Sequence, residues 1–309
     1  MVVRSTLSLL LLASVPFVLS GCGGKPSGSS SGSVPIRQQV ANAQKEPLAD
    51  VRAKTLMRLG LQQSQAQDQS GAQETLRLAG KACREISDPA GQATMFALLA
   101  EAQTRVGNGA AAEEAVQSAR QAADKVTDPE AKVRALGRVG RALGAMTDVD
   151  RAKATLKSAE EWFAKVEDVS ARVLAIGAIA ASYKKIGEAA QSDRLIAAAL
   201  DLTGSIDGDR PRCLATADLA AAQQELGNKE AADKIFAQAL EAARKIRKSH
   251  AKAYTLADIA ERLSKAGDRE KTRGLLEEAD KTAHQIPERD LQQQAVERVR
   301  MMMDKLLKE

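Results

Sequence analysis

The sequence predicts an all-α fold, an α-solenoid of about six helix–turn–helix repeats of 40 residues that ends in a capping helix. First, apolar and small residues recur every 40 positions through most of the 309 residues. Second, aromatic residues make up only 2% of the chain although 44% of it is hydrophobic, so alanine and leucine must fill a core of closely packed helices. Third, a glycine followed by a polar residue recurs where the two helices of a repeat should meet.

The 40-residue period is visible as columns of matching residues. One column is Ile86, Val126, Val166, Ile206, Ile246 and Ile286, a second is Ala79, Ala119, Ala159, Ala199, Ala239 and Ala279, and a third is Leu76, Val116, Leu156, Ile196, Phe236 and Leu276. A fourth is Leu59, Leu99, Val139, Ile179, Leu219 and Ile259, and every residue after it is glycine or alanine. A single helical hairpin cannot bury all of its apolar surface, so neighbouring repeats are expected to stack.

Each repeat is predicted to contain two helices. Ala72, Leu76, Ala79 and Ile86 are spaced by four, three and seven residues, which places them on one face of the second helix. The turns between the helices are expected at Gly107-Asn108, Gly187-Glu188, Gly227-Asn228 and Gly267-Asp268. In these turns the glycine can end one helix in the left-handed conformation, and the polar residue can cap the next helix.

This arrangement resembles the tetratricopeptide repeat over about residues 49–289. Leu59-Gly60 matches the Leu-Gly pair of that family, and Ala72, Leu76 and Ala79 fall on its Ala, Phe and Ala positions. The resemblance implies a right-handed solenoid whose first helices line a groove for protein or peptide ligands. The chain departs from the family in its period, 40 rather than 34, and in lacking the late proline.

The solenoid is expected to occupy residues 36–309. Residues 36–47 match the end of a repeat and are interpreted as a half-unit, and the repeats follow at about 49–289. Residues 290–309 begin a seventh first helix, with Val296 and Val299 in register, and leave the pattern at Arg300. Such a departure is typical of a terminal cap, whose outer face must be solvated.

The N-terminal segment is interpreted as a signal peptide over residues 1–22. Arg4 precedes an apolar run from Leu7 to Leu19, which is shorter than the ~20 residues of a membrane span. Leu19-Ser20-Gly21-Cys22 resembles the bacterial lipobox, which implies that Cys22 becomes the lipid-bearing N-terminus. Residues 23–35 form an expected flexible Gly/Ser tether. The alternative for this segment is an ordinary signal peptide with an incidental cysteine. The predicted location is the bacterial cell envelope, with the protein anchored in the outer or inner membrane and facing the periplasm or the exterior.

The sequence offers no pattern for catalysis. It contains two histidines and three cysteines, and Cys83 and Cys213 are separated by three whole repeats, too far for a disulfide and at no familiar metal-ligand spacing. The formal net charge of +5 is mild for this length, which argues against nucleic acid as a partner. The chain is therefore expected to be no enzyme, with no metal site, cofactor or small-molecule substrate, and both thiols are expected to be buried.

A partner-binding surface is expected on the exposed side of the first helices. By register it includes Lys54, Arg58, Arg105, Arg134, Arg138, Arg141, Lys184 and Lys185. Asp218, Asp258 and Glu261 hold similar places in later repeats, so the groove is expected to be basic early and acidic late. Three interpretations remain besides peptide binding: a merely solvated face, a structural envelope protein that contacts anionic cell-wall polymer, and an accessory subunit of an envelope enzyme complex.

Overall fold

The chain is an all-α solenoid. A computed structural model describes residues 34–225 and 227–307, and the predicted signal peptide, Cys22 and the tether up to residue 33 lie outside the described residues. The helices are α1 (Ile36–Ala43), α2 (Ala49–Gln65), α3 (Gln69–Arg84), α4 (Pro89–Arg105), α5 (Gly109–Asp124), α6 (Pro129–Ala145), α7 (Val149–Glu160), α8 (Val169–Lys185), α9 (Ala189–Thr203), α10 (Asp209–Glu225), α11 (Lys229–Arg244), α12 (Ser249–Lys265), α13 (Arg269–His284) and α14 (Arg289–Leu307), with a 3₁₀ turn at Phe163–Lys165 after α7. None of these helices is long and apolar enough to cross a bilayer.

The helices form two layers. The first helices of the repeats (α2, α4, α6, α8, α10, α12 and α14) pack side by side and are called the inner layer here. The second helices (α3, α5, α7, α9, α11 and α13) form the outer layer, and each packs between the first helix of its own repeat and that of the next. The backbones of neighbouring outer-layer helices lie apart in the described part, so clefts separate them, and side-chain ion pairs cross several of these clefts.

The sequence columns are the core of this arrangement. All six alanines of the Ala79 column are completely buried, and the six larger residues of the Leu76 column are buried against them. Five of the six β-branched residues in the Ile86 column are buried as well, and Ile86 itself packs at the edge of the core. The prediction that small residues permit close helix approach and larger aliphatics fill the remaining space is confirmed.

In the described part of the chain, the six turns within repeats share a residue with a positive φ angle, which is glycine in four turns and another residue in two. Gly107, Gly187, Gly227 and Gly267 adopt positive φ angles, as predicted, and Gln67 and Thr147 adopt φ of 62° and 63° at the equivalent points.

Side-chain caps begin many of the helices. Asp68, Asn108, Asp148 and Asp268 accept hydrogen bonds from the first turn of the following outer-layer helix, whereas Glu188 and Asn228 do not. Of the four glycine–polar turns, two therefore have the side-chain cap that the sequence allows, at Asn108 and Asp268.

A column of long donor side chains connects successive repeats. Each lies in the first turn of an inner-layer helix and donates to backbone carbonyls at the end of the preceding helix or in the connecting segment just after it. The members of this donor column are Arg52, Gln92, Lys132, Arg172, Arg212 and Gln292. Gln92, Lys132 and Gln292 reach the last residue of the preceding helix, so they satisfy carbonyls that its C-terminus leaves without an intrahelical partner.

The two ends of the array differ. The half-unit α1 packs against α2, and its Ala43 is buried. At the other end, Ala295 and Val299 of α14 are buried against the last repeat. Arg300 is exposed, and Met301 is 61% exposed, so the outer face of α14 has the solvated character expected of a cap.

Candidate peptide-binding surface

An open groove lies between α2 and α4 on the exposed side of the inner layer. Its volume is ≈ 430 Å³, and its floor is apolar, made of Met57, Leu61, Leu98 and Ala102. Three cationic side chains, Lys54, Arg58 and Arg105, stand around this floor together with Gln62, Gln65 and Glu101. We call this feature the inner groove.

Met57 explains why a groove forms between these two helices. The equivalent residues in the later repeats are Ala97, Gly137, Gly177, Ala217 and Ala257, all small. At Gly137 a Cβ atom would lie 2.8 Å from Ile179 Cδ1 of the next inner-layer helix, and at Gly177 it would lie 2.6 Å from Leu219 Cδ1. Small residues thus bring later helices together, whereas the larger Met57 side chain keeps α2 and α4 further apart and forms part of the groove floor. The sequence analysis did not identify Met57, although it is the one large residue in a column of otherwise small residues.

The structure brings three of the eight predicted cationic residues to the inner groove. Lys54 lies 3.7 Å from Asp50, Arg58 donates to Gln62 Oε1 at 3.2 Å, and Arg105 is exposed at the end of α4. The partial exposure of these groups leaves their charges available to a ligand.

The other five predicted residues lie on later helices. Arg134 pairs with Glu130, and Arg138 and Arg141 are half-buried further along the same face of α6. Lys184 and Lys185 are exposed at the end of α8. None of these five lines the inner groove; they extend the basic surface beside it.

The expectation of an acidic later half is corrected by the ion pairs found there. Asp258 accepts from Arg210 at 2.5 Å and from Arg298 at 2.8 Å, which joins α10, α12 and α14. Asp218 forms a two-point pair with Arg262, and Glu261 lies 3.1 Å from the Lys305 ammonium. These three acids are therefore neutralised within the protein.

The cysteines are packing groups, as predicted. Cys83 and Cys213 are free thiols and are both buried. Burial raises the pKa of Cys83 to about 12 and also raises the pKa of Cys213, so neither thiol ionises readily near neutral pH. Among the residues described, no group of histidine, cysteine, aspartate and glutamate is arranged to hold a metal ion.

Comparisons with known proteins identify no family for this chain. No family model and no curated protein matches it. Among solved structures it is similar to Ton1535 from Thermococcus onnurineus NA1, with 14% identity, a TM-score of 0.42 and coverage of 85% of this chain and 94% of that one. BtubC (BKLC) from P. vanneervenii matches with 13% identity, a TM-score of 0.36 and coverage of 81% and 91%.

A third similar structure is a Rap protein complexed with competence and sporulation factor. It has 12% identity and a TM-score of 0.35, and the alignment covers 89% of this chain and 81% of that one. At these values none of the three structures indicates a shared function, so the function has to be argued from the surface itself.

Proposed function

We propose that this protein is a non-catalytic, membrane-anchored scaffold that holds peptide segments of protein partners in its inner groove. The observation that carries this proposal is the combination of an apolar floor with the cationic side chains of Lys54, Arg58 and Arg105. The floor favours apolar side chains of a ligand, and arginine forks favour carboxylates. The expected ligand is therefore an amphipathic peptide segment with acidic residues.

The location in the bacterial cell envelope is part of the proposal and depends on the N-terminal sequence. Lipid on Cys22 would anchor the chain, because each buried CH₂ contributes about 0.8 kcal/mol. Residues 23–35 would then separate the solenoid from the bilayer. This arrangement would present the inner groove to envelope proteins near the membrane.

Capture from detergent-solubilised bacterial envelope tests the groove. The full chain and its Arg58→Glu/Arg105→Glu variant are used as baits, and retained proteins are quantified by mass spectrometry. The double reversal should lower retention of specific partners roughly tenfold or more, equivalent to about 1.4 kcal/mol. Lys125→Glu/Lys157→Glu is the matched control, since it reverses two exposed charges of the outer layer. Equal retention by all three baits would contradict binding in the inner groove.

The anchor is tested separately by cell fractionation and intact mass. The native chain should be found in membranes, with residues 1–21 removed and lipid mass added, whereas Cys22→Ser should lose both lipid and membrane attachment. Soluble, unlipidated native protein would refute the anchor while leaving the groove experiment interpretable.

A further inference from the structure

A second, elongated cleft lies in the outer layer between α3 and α5. Its volume is ≈ 640 Å³, and its lining runs along α3 from Ser70 to Arg84. At 1.5 Å per helical residue this length is about 21 Å. The floor contains Phe96, Leu99 and Gln103 of α4. We call this feature the outer cleft; its lining and that of the inner groove have no residue in common.

A buried acceptor in the outer cleft has no donor. Gln103 is only 4% exposed, and its Oε1 has no hydrogen-bond partner. In the preceding repeat the equivalent Gln63 Oε1 accepts from the Thr75 hydroxyl at 2.6 Å. The residue equivalent to Thr75 is Ala115, which has no hydroxyl, so Gln103 lacks that partner. A buried polar atom without a partner destabilises the folded protein, and a ligand donor would remove this penalty.

Side chains that close other outer-layer clefts are missing from this one. Between α5 and α7, Arg151 donates to both carboxylate oxygens of Glu113 at 2.8 and 2.7 Å. The equivalent positions across the outer cleft are Ala111 and Gln73, which cannot form an ion pair. Gly80 also leaves space where the later repeats have larger side chains. Gln73, Gly80 and Ala111 therefore leave open the same cleft that contains the unpaired acceptor.

We propose that the outer cleft binds an extended peptide segment of about six residues that donates a backbone N–H to Gln103 Oε1. A length of about 21 Å corresponds to about six residues of extended chain, which favours a peptide over a compact molecule. An apolar side chain of the peptide rests on Phe96 and Leu99. An acidic residue faces Lys81 and Arg84, two exposed cationic side chains that line the cleft.

Panning a phage library of random heptapeptides against the full-length protein in detergent tests this proposal. Gln73→Glu/Ala111→Arg installs in the outer cleft the ion pair that closes the α5–α7 cleft. Ala115→Thr gives Gln103 the hydroxyl partner that Gln63 has. Enriched peptides should carry an apolar and an acidic residue, and both variants should bind them at least about tenfold more weakly than the unchanged protein.

The inner-groove variant Arg58→Glu/Arg105→Glu should bind these peptides within about twofold of the unchanged protein, which separates the two sites. Peptides that lose affinity only for that variant would assign binding to the inner groove and overturn the outer-cleft proposal. No enrichment, or equal binding by all proteins, would overturn it as well. Circular dichroism and the thermal midpoint check that each variant is folded. If the double variant is unstable, Ala115→Thr decides the outcome, because Thr75 and Thr155 show that this column of residues accepts threonine.

Discussion

At the scale of single residues, the donor column is the feature that most directly joins one repeat to the next. Lys132 shows its chemistry most clearly, because only 8% of this residue is exposed. Its ammonium donates to the carbonyls of Ala123 and Asp124 at 2.8 and 3.1 Å and lies 5.3 Å from the centre of the Trp162 ring. The Lys132 ammonium is thus buried, and its N–H groups donate to backbone carbonyls. It therefore stabilises the contact between repeats and does not offer a charge to a partner.

Replacing Lys132 with methionine keeps the length of the side chain and removes the donors. We expect Lys132→Met to lower the free energy of unfolding by about 1–3 kcal/mol, because the carbonyls of Ala123 and Asp124 each lose a donor. Chemical denaturation measures this change. Lys157→Met, at an exposed position of α7, is the control and should stay within about 0.5 kcal/mol. A similar small effect for both variants would show that water replaces the lysine.

At the scale of elements, glycines at helix contacts set how closely the two helices of a repeat approach. A Cβ atom at Gly140 of α6 would lie 2.6 Å from Leu156 Cδ2 and 2.8 Å from Leu156 Cγ of α7. Gly274 lies on the exposed face of α13 with no atom within 4 Å of a built Cβ. The same residue type therefore has a packing role at one site and none at the other.

This contrast predicts opposite effects of enlarging the two glycines. Gly140→Val should destabilise the protein by about 1–3 kcal/mol through overpacking against Leu156. Gly274→Ala should stabilise it by about 0.5–1 kcal/mol, because alanine favours a helix interior more than glycine does. Thermal and chemical unfolding of both variants checks the prediction. Stabilisation by both substitutions would show that α6 and α7 separate without cost.

The ion pair between α5 and α7 makes the stability of the protein depend on pH. Hydrogen bonds from Arg151 lower the pKa of Glu113 from its usual value near 4.5 to about 2. A carboxylate whose pKa is lowered by folding adds stability above its unfolded pKa and loses it as the pH falls toward the folded pKa. The contribution is therefore complete at neutral pH and disappears between about pH 4.5 and 2.

Glu113→Gln isolates this contribution. The unchanged protein should be more stable than the variant at pH 7, and the difference should shrink between pH 4.5 and 2. High salt should reduce the difference at pH 7, since both partners are partly exposed. Denaturation curves at pH 7, 4.5 and 2.5 measure it. A difference that stays constant across this range would point to packing rather than charge.

At the scale of the whole molecule, the two halves of the inner layer have different electrostatics. In the first half, Lys54, Arg58 and Arg105 surround an open groove. In the second half, Asp258 is shared by Arg210 and Arg298, so three inner-layer helices are cross-linked. The first half is therefore the part of the inner layer suited to a ligand, and the second half is stabilised internally.

Removing the shared carboxylate should loosen only the C-terminal end. Asp258→Asn leaves two arginines without their charged partner, and we expect a loss of about 1.5–3 kcal/mol in local stability. Amide hydrogen exchange should accelerate in α14 and remain unchanged in α2, because each repeat of a solenoid contacts only its neighbours. Glu297→Gln, which removes an exposed carboxylate of α14 itself, is the control. Uniform acceleration across the array would contradict this local coupling.

The helical class, the 40-residue repeat and most of the core could be predicted from the sequence, because stacked repeats require residues of similar size and polarity at equivalent buried positions. The sequence also placed Lys54, Arg58 and Arg105 on the exposed side of the first helices. The neutralisation of Asp218 and Asp258 escaped it, since their partners are 40 or more residues away and periodicity does not measure distance. The places where adjacent helices separate became visible only in the folded protein: Met57 keeps α2 and α4 apart at the inner groove, and Gln73, Gly80 and Ala111 leave the outer cleft open. A cavity forms where several helices meet and none of them contributes a side chain large enough to fill the space, and the sequence of one repeat does not show which helices meet there.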